Sequence, residues 1–400
     1  MSAQVNDVVV VAAGRTPFGR FEGALKGLLA PQIGAAALNE VATRSGLKPA
    51  LFDAVYAGVG MIGSAILTPV RQAVLLSNIP QETPSASIDR ACCSGMTAIG
   101  IGMKDIRCGE AQAVLSGGFE SLSNTPLLWP RLRARIGDVS SLDPLLMRGL
   151  MVDRPIPVYS GDEAVRHGVE RAEQDEWAQQ SHERYFAAEK RGFFDFERFA
   201  IEAPGAKGGT LTHVTTDESP RADSSLEALA RLKPVYGGKT ITAGNAPGLN
   251  DGAAFVALAR RDFAQRHDIH PLARLVDYVQ VCGSPTSGTV TPAEAIKRIA
   301  ARNDRGPADW DLIEINEAYA ATPLVSTLVL ADMDRAQAER IRARTNVHGG
   351  AVAIGHPLGA SGARIVMTLI NGLRARGGGR GVAAICGGFG QGDALMIDVD

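Results

Sequence analysis

Apolar residues fall in short runs that end at glycine. The first, Val8 to Ala12 closed by Gly14, predicts a strand buried on both faces. The same signal recurs at Gln112 to Ser116 (QAVLS) before Gly117-Gly118, at Asp311 to Asn316 (DLIEIN), and at Val382 to Cys386 (VAAIC) before Gly387-Gly388. Elsewhere the period changes. Met96, Ile99, Met103 and Ile106 are spaced 3, 4 and 3 apart, and Val366, Leu369, Ile370 and Leu373 also share one helical face. Strands alternating with helices predict an α/β protein. At 400 residues the chain exceeds the size at which one core keeps growing, which implies two or three core-forming units.

One pattern occurs twice. Ser94-Gly95 opens a predicted helix leading to LSGGF (115 to 119), and Ser361-Gly362 opens another leading to ICGGF (385 to 389). A duplicated domain and the chance recurrence of short glycine-containing strings both account for it. Residues 121 to 249 differ in character: many charges, a helix around Trp177, Ser181, Tyr185 and Ala188, and the loop stretches PGAKGG and YGGKTITAGNAPGLNDG. They read as an insertion.

Composition narrows the field. Hydrophobic residues make up 45% and charged residues 21%, as expected of a folded globular chain. The formal charge of −2, with signs interspersed, lacks the basic footprint of a nucleic-acid binder. No basic segment precedes the first apolar run, and no run approaches the roughly 18 residues of a membrane span, so neither a signal peptide nor a membrane anchor is expected. The five cysteines show neither CxxC nor zinc-type Cys/His spacing, which points to a reducing compartment, the cytoplasm by default, with free thiols and no metal site.

Five local motifs could carry chemistry. Cys92 lies in ACCSGM at the start of a predicted helix, where the free N–H groups favour a thiolate. On that motif alone, packing of two small buried residues is the commoner outcome. His356, in GGAVAIGHPLGASGAR, is flanked by glycines and a proline that would fix a turn, and it suits a general base and a structural histidine equally. His348, in NVHGG, is marked only by glycines. Cys386 ends a predicted strand, and Gly387-Gly388 after it would expose backbone N–H groups or simply pack tightly. Asn316-Glu317 caps DLIEI, as a helix start or as part of a site at a strand end.

Taken together, in order, CxSG (Cys92 to Gly95), NEAxA (Asn316 to Ala320), GHPxGxSGAR (Gly355 to Arg364) and CxGxGQG (Cys386 to Gly392) resemble the thiolase family. RTPFGRF near the start, GGFESLS (117 to 123) and TAGNAPGLNDGAA (242 to 254) extend the resemblance over nearly the whole chain. It implies a duplicated αβαβα five-layer sandwich with an inserted loop domain: residues 1–120 and 250–274 in the first half, 121–249 in the insertion, 275–400 in the second half.

The resemblance also implies an activity, the making and breaking of the carbon–carbon bond of 3-ketoacyl-coenzyme A thioesters. Cys92 would carry the acyl group, His356 would activate it and later the incoming coenzyme A thiol, and Cys386 would move the proton at the α-carbon. One oxyanion hole would comprise His356 and a water held by Asn316, the other the N–H groups of Cys92 and Gly388. Coenzyme A would enter as a substrate, with no cofactor or metal, and would contact Arg221 together with Pro247, Gly248 and Leu249; Arg131, Arg133 and Arg135 are further candidates more in keeping with a solvated basic face. A homodimer or homotetramer is expected.

Three departures touch substrate binding. Pro247 stands where the family often has a serine, Pro155, Ile156 and Pro157 replace the usual HMG, and GTVTPAEA from Gly288 replaces a GxGP segment. Other condensing enzymes of the superfamily lack the second cysteine motif. A hydrolase using Cys92 and His356, or a non-catalytic coenzyme A-binding subunit, are the readings from other classes.

Overall fold

The structure is a computed structural model that describes residues 7–61, 67–128, 143–146, 152–205, 210–306 and 309–400. Its strands are β1 Val8–Arg15, β2 Gly19–Arg20, β3 Ala54–Gly58, β4 Ser85–Ile88, β5 Ala113–Ser121, β6 Ile201–Pro204, β7 Leu211–Val214, β8 Asn250–Arg260, β9 Ala273–Cys282, β10 Leu312–Ile315, β11 Gly379–Gly387 and β12 Gln391–Val399. Its helices are α1 Ala30–Ser45, α2 Pro69–Leu76, α3 Ser94–Cys108, α4 Ile156–Arg166, α5 Arg171–Glu189, α6 Leu226–Ala230, α7 Arg261–Arg266, α8 Thr291–Arg302, α9 Ala321–Leu330, α10 Arg335–Arg342, α11 Ala351–Ile354 and α12 Leu358–Ala375. Every run read as a strand overlaps a strand, though Gln112, Asp311 and Asn316 fall just outside, and both predicted helical faces lie on helices, α3 and α12.

The main sheet runs β10-β11-β12-β9-β1-β8-β5-β3-β4, with β2 beside β8. Two similar halves meet where β1 pairs antiparallel with β9, Val8 opposite Leu275 and Val10 opposite Ala273. In each half a central helix precedes a long strand, α3 before β5 and α12 before β11, so the repeated sequence pattern marks equivalent places. Both faces of the sheet are buried. Val8 and Val10 point into one core with α3 and α12, whereas Val9 and Val11 point into another with α1 and α2. In the second half Ile385 and Leu395 join the central core, while Val382, Ala384 and Met396 pack with α8 and α9. The result is five layers: α1 and α2, half the sheet, α3 with α12, the other half, α8 and α9. Among the described residues between 122 and 249, no strand joins this sheet, although Arg198 bridges Arg15 of β1; β6 and β7 form a separate ribbon.

The strand boundary furthest from the expectation is the end of β5. β5 continues through Gly117-Gly118 to Ser121 instead of stopping at Ser116. The glycines there serve close approach and not a turn: a Cβ on Gly117 would lie 2.2 Å from the Ala254 carbonyl oxygen, and one on Gly118 1.9 Å from that of Gly359.

The same device sets α3 against α12. A Cβ on Gly95 would stand 2.3 Å from the Gly359 carbonyl oxygen, and one on Gly362 2.3 Å from the Met96 backbone nitrogen. The two helices therefore touch backbone to backbone at their first turns.

A methyl group at position 362 cannot be relieved by a rotamer change, because what it meets is backbone. Gly362→Ala should destabilise by about 1–3 kcal/mol, the range for overpacking, despite the better helix propensity of alanine. Gly288→Ala, where nothing lies within 4 Å, should shift stability by no more than about 0.5 kcal/mol. Denaturant midpoints of the two variants against wild type check this.

Candidate active site

The close approach of α3 and α12 brings two loops together. Cys92 lies two residues before α3, and His356 two residues before α12. The Cys92 Sγ is 3.2 Å from His356 Nε2. The histidine is held from three sides. Its backbone N–H donates to Asn250 Oδ1 at 2.9 Å, its ring is buried, and its Nδ1 is 2.6 Å from Ser361 Oγ. Ser361 has a single hydroxyl proton and donates it to the Pro357 carbonyl at 2.8 Å. Toward the ring the hydroxyl can then only accept, so Nδ1 carries the imidazole proton and Nε2 turns a lone pair to the thiol.

Burial sets the charge state. It pushes the His356 pKa down to about 3, with Arg364 adding to the effect. Burial also pushes the Cys92 thiol well above its ordinary value, with further contributions from the charges of Cys386 and Glu120. The thiolate expected from the helix start is therefore corrected: desolvation outweighs the N-terminal end of α3, whose first residue is Ser94, and at rest the pair is a thiol and a neutral imidazole. Cys386 is likewise raised, to about 12, by burial.

A cavity of about 630 Å³ opens over this pair and is lined by Cys92, His356, Cys386 and Gly388 together. Cys386 is the penultimate residue of β11, and Gly388 follows in the turn to β12, where an added Cβ would lie 3.3 Å from that of Ala91. Asn316, just past β10, is fully buried; among the described residues neither its side-chain oxygen nor its nitrogen has a partner. An unpaired buried amide is costly, and it is suited to holding a small polar ligand. Arg221, Pro247, Gly248 and Leu249 all line the same cavity, with the Arg221 guanidinium donating to the Ala243 carbonyl at 3.3 Å. The departures lie on its wall too: Pro155, Ile156 and Pro157 at the start of α4, and Gly288 before α8. Pro247 offers no hydroxyl there. His348 is not among the lining residues; its ring stacks on Phe193 at 3.8 Å. Arg131, Arg133 and Arg135 lie outside the described residues.

Four groups support the site from inside the quoted motifs, and of these the sequence marks only Glu317, through its pairing with Asn316. Ser361 fixes the imidazole tautomer, and Asn250 holds the His356 backbone. Glu120, buried and pushed up to about 7 by desolvation, accepts N–H bonds from Gly60, Met61 and Gly359. Glu317, next to Asn316, is fully buried and accepts from Trp177 Nε1, Ser181 Oγ, Asn346 Nδ2 and the Val352 N–H. It thereby ties α5 and α11 to the end of β10. The signal for both glutamates was an acid embedded in an otherwise apolar and small-residue motif, where burial demands several donors.

Known proteins carry the same pattern. The family "Thiolase, N-terminal domain" matches residues 8–262, and "Thiolase, C-terminal domain" matches residues 269–399. A β-ketoadipyl-CoA thiolase of Pseudomonas aeruginosa is 37% identical across 98% of this chain and 99% of its own. The crystal structure of the Bacillus anthracis acetyl-CoA acetyltransferase superposes with a TM-score of 0.93 at 33% identity, covering 100% of both chains. That of human mitochondrial 3-ketoacyl-CoA thiolase in complex with CoA does so with a TM-score of 0.91 at 36% identity, covering 99% of each. Matched in sequence through both halves and in fold over its full length, the chain belongs to the thiolase family.

Proposed function

We propose that this protein is an acetyl-CoA C-acyltransferase that reversibly cleaves 3-ketoacyl-CoA with coenzyme A through an acyl group on Cys92. The observation that carries the reading is the 3.2 Å contact between Cys92 Sγ and the lone-pair nitrogen of His356, in one cavity with Cys386 and Gly388. In the cleavage direction His356 takes the thiol proton as Cys92 attacks the 3-keto carbon, and the bond between carbons 2 and 3 breaks. Cys386 gives its proton to carbon 2, which releases acetyl-CoA and leaves the acyl group on Cys92. The imidazolium proton restores Cys386. Neutral His356 then takes the proton of a coenzyme A thiol, whose sulfur displaces Cys92 from the thioester, and the imidazolium reprotonates Cys92. Condensation is the reverse.

The neutral resting state agrees with this sequence. Nε2 acquires a proton only by deprotonating a thiol, so it becomes a donor at the stage when an oxyanion forms, and a water held by the unpaired Asn316 amide would be the second donor. The N–H groups of Cys92 and Gly388 would receive the thioester oxygen. Coenzyme A would lie along Arg221, Pro247, Gly248 and Leu249, a reading supported by the relative solved with CoA. Residues 121–249 are assigned to the inserted loop domain, 1–120 with 250–274 to the first half, and 275–400 to the second. A cytoplasmic homodimer or homotetramer is proposed: all five cysteines are free, β4 leaves an open sheet edge, and Leu75 and Leu76 on α2 are exposed.

Replacing the nucleophile tests the acyl-enzyme. In Cys92→Ser the poorly acidic hydroxyl cannot be activated by the same imidazole, so mixing with acetyl-CoA should leave no acetyl adduct by intact-protein mass; an adduct at wild-type level contradicts the assignment. Cys386→Ala should separate the half-reactions. Exchange of acetyl between acetyl-CoA and labelled coenzyme A should survive, while cleavage and formation of acetoacetyl-CoA should fall by roughly 10²- to 10⁴-fold. Joint loss in a folded variant would place Cys386 in the acylation step.

A further inference from the structure

Cys92 and Gly388 stand on separate loops, and the His356 contact does not fix the distance between them. Arg90 connects the two. Its Nη1 donates to Asp393 Oδ1 at 2.5 Å and to Thr97 Oγ1 at 2.8 Å, and its Nε donates to Gln391 Oε1 at 2.9 Å. Gln391 returns to the turn, its Nε2 donating to the Gly388 carbonyl at 3.1 Å. An unbroken chain of hydrogen bonds thus runs from the residue two places before Cys92 to Gly388 itself.

The anchor of this chain is Asp393 on β12, fully buried. Its Oδ2 accepts from Thr97 Oγ1 at 2.7 Å and from the Tyr278 hydroxyl at 2.6 Å. A buried ion pair is an expensive way to fill a core, because desolvation offsets most of its attraction, and an apolar pair of like volume would serve stability as well. What the pair supplies is geometry. The loops it joins are tightly apposed: a Cβ on Gly387 would lie 2.8 Å from the Arg90 carbonyl oxygen. They are also strained, since Ala91 and Phe389 hold φ of 50° and 61°. Left-handed conformations at such residues persist only where the surroundings over-determine them.

We propose that Arg90, anchored by Asp393, is a positioning residue that holds the N–H groups of Cys92 and Gly388 at the spacing a thioester oxygen requires. The inference rests on the acyl-enzyme reading of Cys92. It separates two reactions of the same sulfur. Alkylation by iodoacetamide forms an S–C bond as iodide leaves, with the thiol proton taken up by His356 or solvent, and develops no oxyanion. Acetylation by acetyl-CoA needs the same deprotonation and, in addition, two aligned donors for the carbonyl oxygen.

Asp393→Asn preserves shape and removes the charge that holds Arg90; Gln391→Leu cuts only the link to Gly388 and serves if the first variant does not fold. Full-length protein is mixed separately with iodoacetamide and with acetyl-CoA, and modification of Cys92 is followed by the mass of the peptide that carries it, since the exposed Cys108 and Cys282 are also free to alkylate. In the variants acetylation should slow at least about tenfold, a fraction of the 10²- to 10³-fold loss on removing a hole donor. Alkylation should stay within about twofold of wild type, since it makes no demand on the hole. Equal slowing of both reactions in folded protein would overturn the proposal by showing that Arg90 supports Cys92 alone, and two unchanged rates would overturn it by showing that the link is idle. Wild-type protein that is alkylated but never acetylated would remove the acyl-enzyme reading itself.

Discussion

The structure depends on a contact with no side chains in it, the meeting of α3 and α12 through Gly95, Gly359 and Gly362. Because the helices touch at their first turns, the residues just before each are forced into one small volume. Cys92 and His356 come from positions 264 residues apart, and no flexible side chain spans the gap. Around this contact the molecule is ordinary α/β construction, with both faces of the sheet covered and apolar residues alternating between central and outer cores. A site on such a scaffold inherits the rigidity of packed helices, which suits a reaction needing several groups aligned at once.

The electrostatics follow from the same closeness. Both groups sit among packed first turns, His356 buried and Cys92 partly open to the cavity, and desolvation there disfavours the charged form of each. Polar atoms in this region are instead satisfied by fixed donors: Glu120 by three backbone N–H groups, Glu317 by four donors from α5, α11 and the segment before it. Each carboxylate fastens segments distant in sequence to the loops that carry the catalytic groups. The Asn316 amide is the exception, left without a protein partner where the proposed chemistry calls for a bound water.

Much of this was legible in the chain. Short apolar runs and helical spacing marked four of the strands and both central helices, and four ordered motifs named Cys92, His356, Cys386 and Gly388, which line one cavity, together with Asn316, which is buried and outside its lining. Gly117-Gly118 misled because a glycine pair signals a turn and a close approach alike, and only the neighbouring Gly359 and Ala254 carbonyls decide between them. The protonation of Cys92 runs opposite to what its helix start implies. Proximity to a helix start is local and visible, whereas burial is a property of everything packed above it. Asp393, Asn250 and Ser361 stayed hidden for a related reason: their roles lie in partners that are close only in the fold.

The central claim is that Cys92 and His356 rest as an uncharged pair and become charged only by passing a proton during turnover. Thiolate absorbance near the ultraviolet edge, measured between pH 5 and 10 as the difference between wild type and Cys92→Ser, tests it directly. The account predicts no difference signal through neutrality, with one emerging only as the pH passes the ordinary range of a free thiol, about 8.5. A thiolate signal already present near pH 5 would contradict it, because it would mean a preformed thiolate–imidazolium pair.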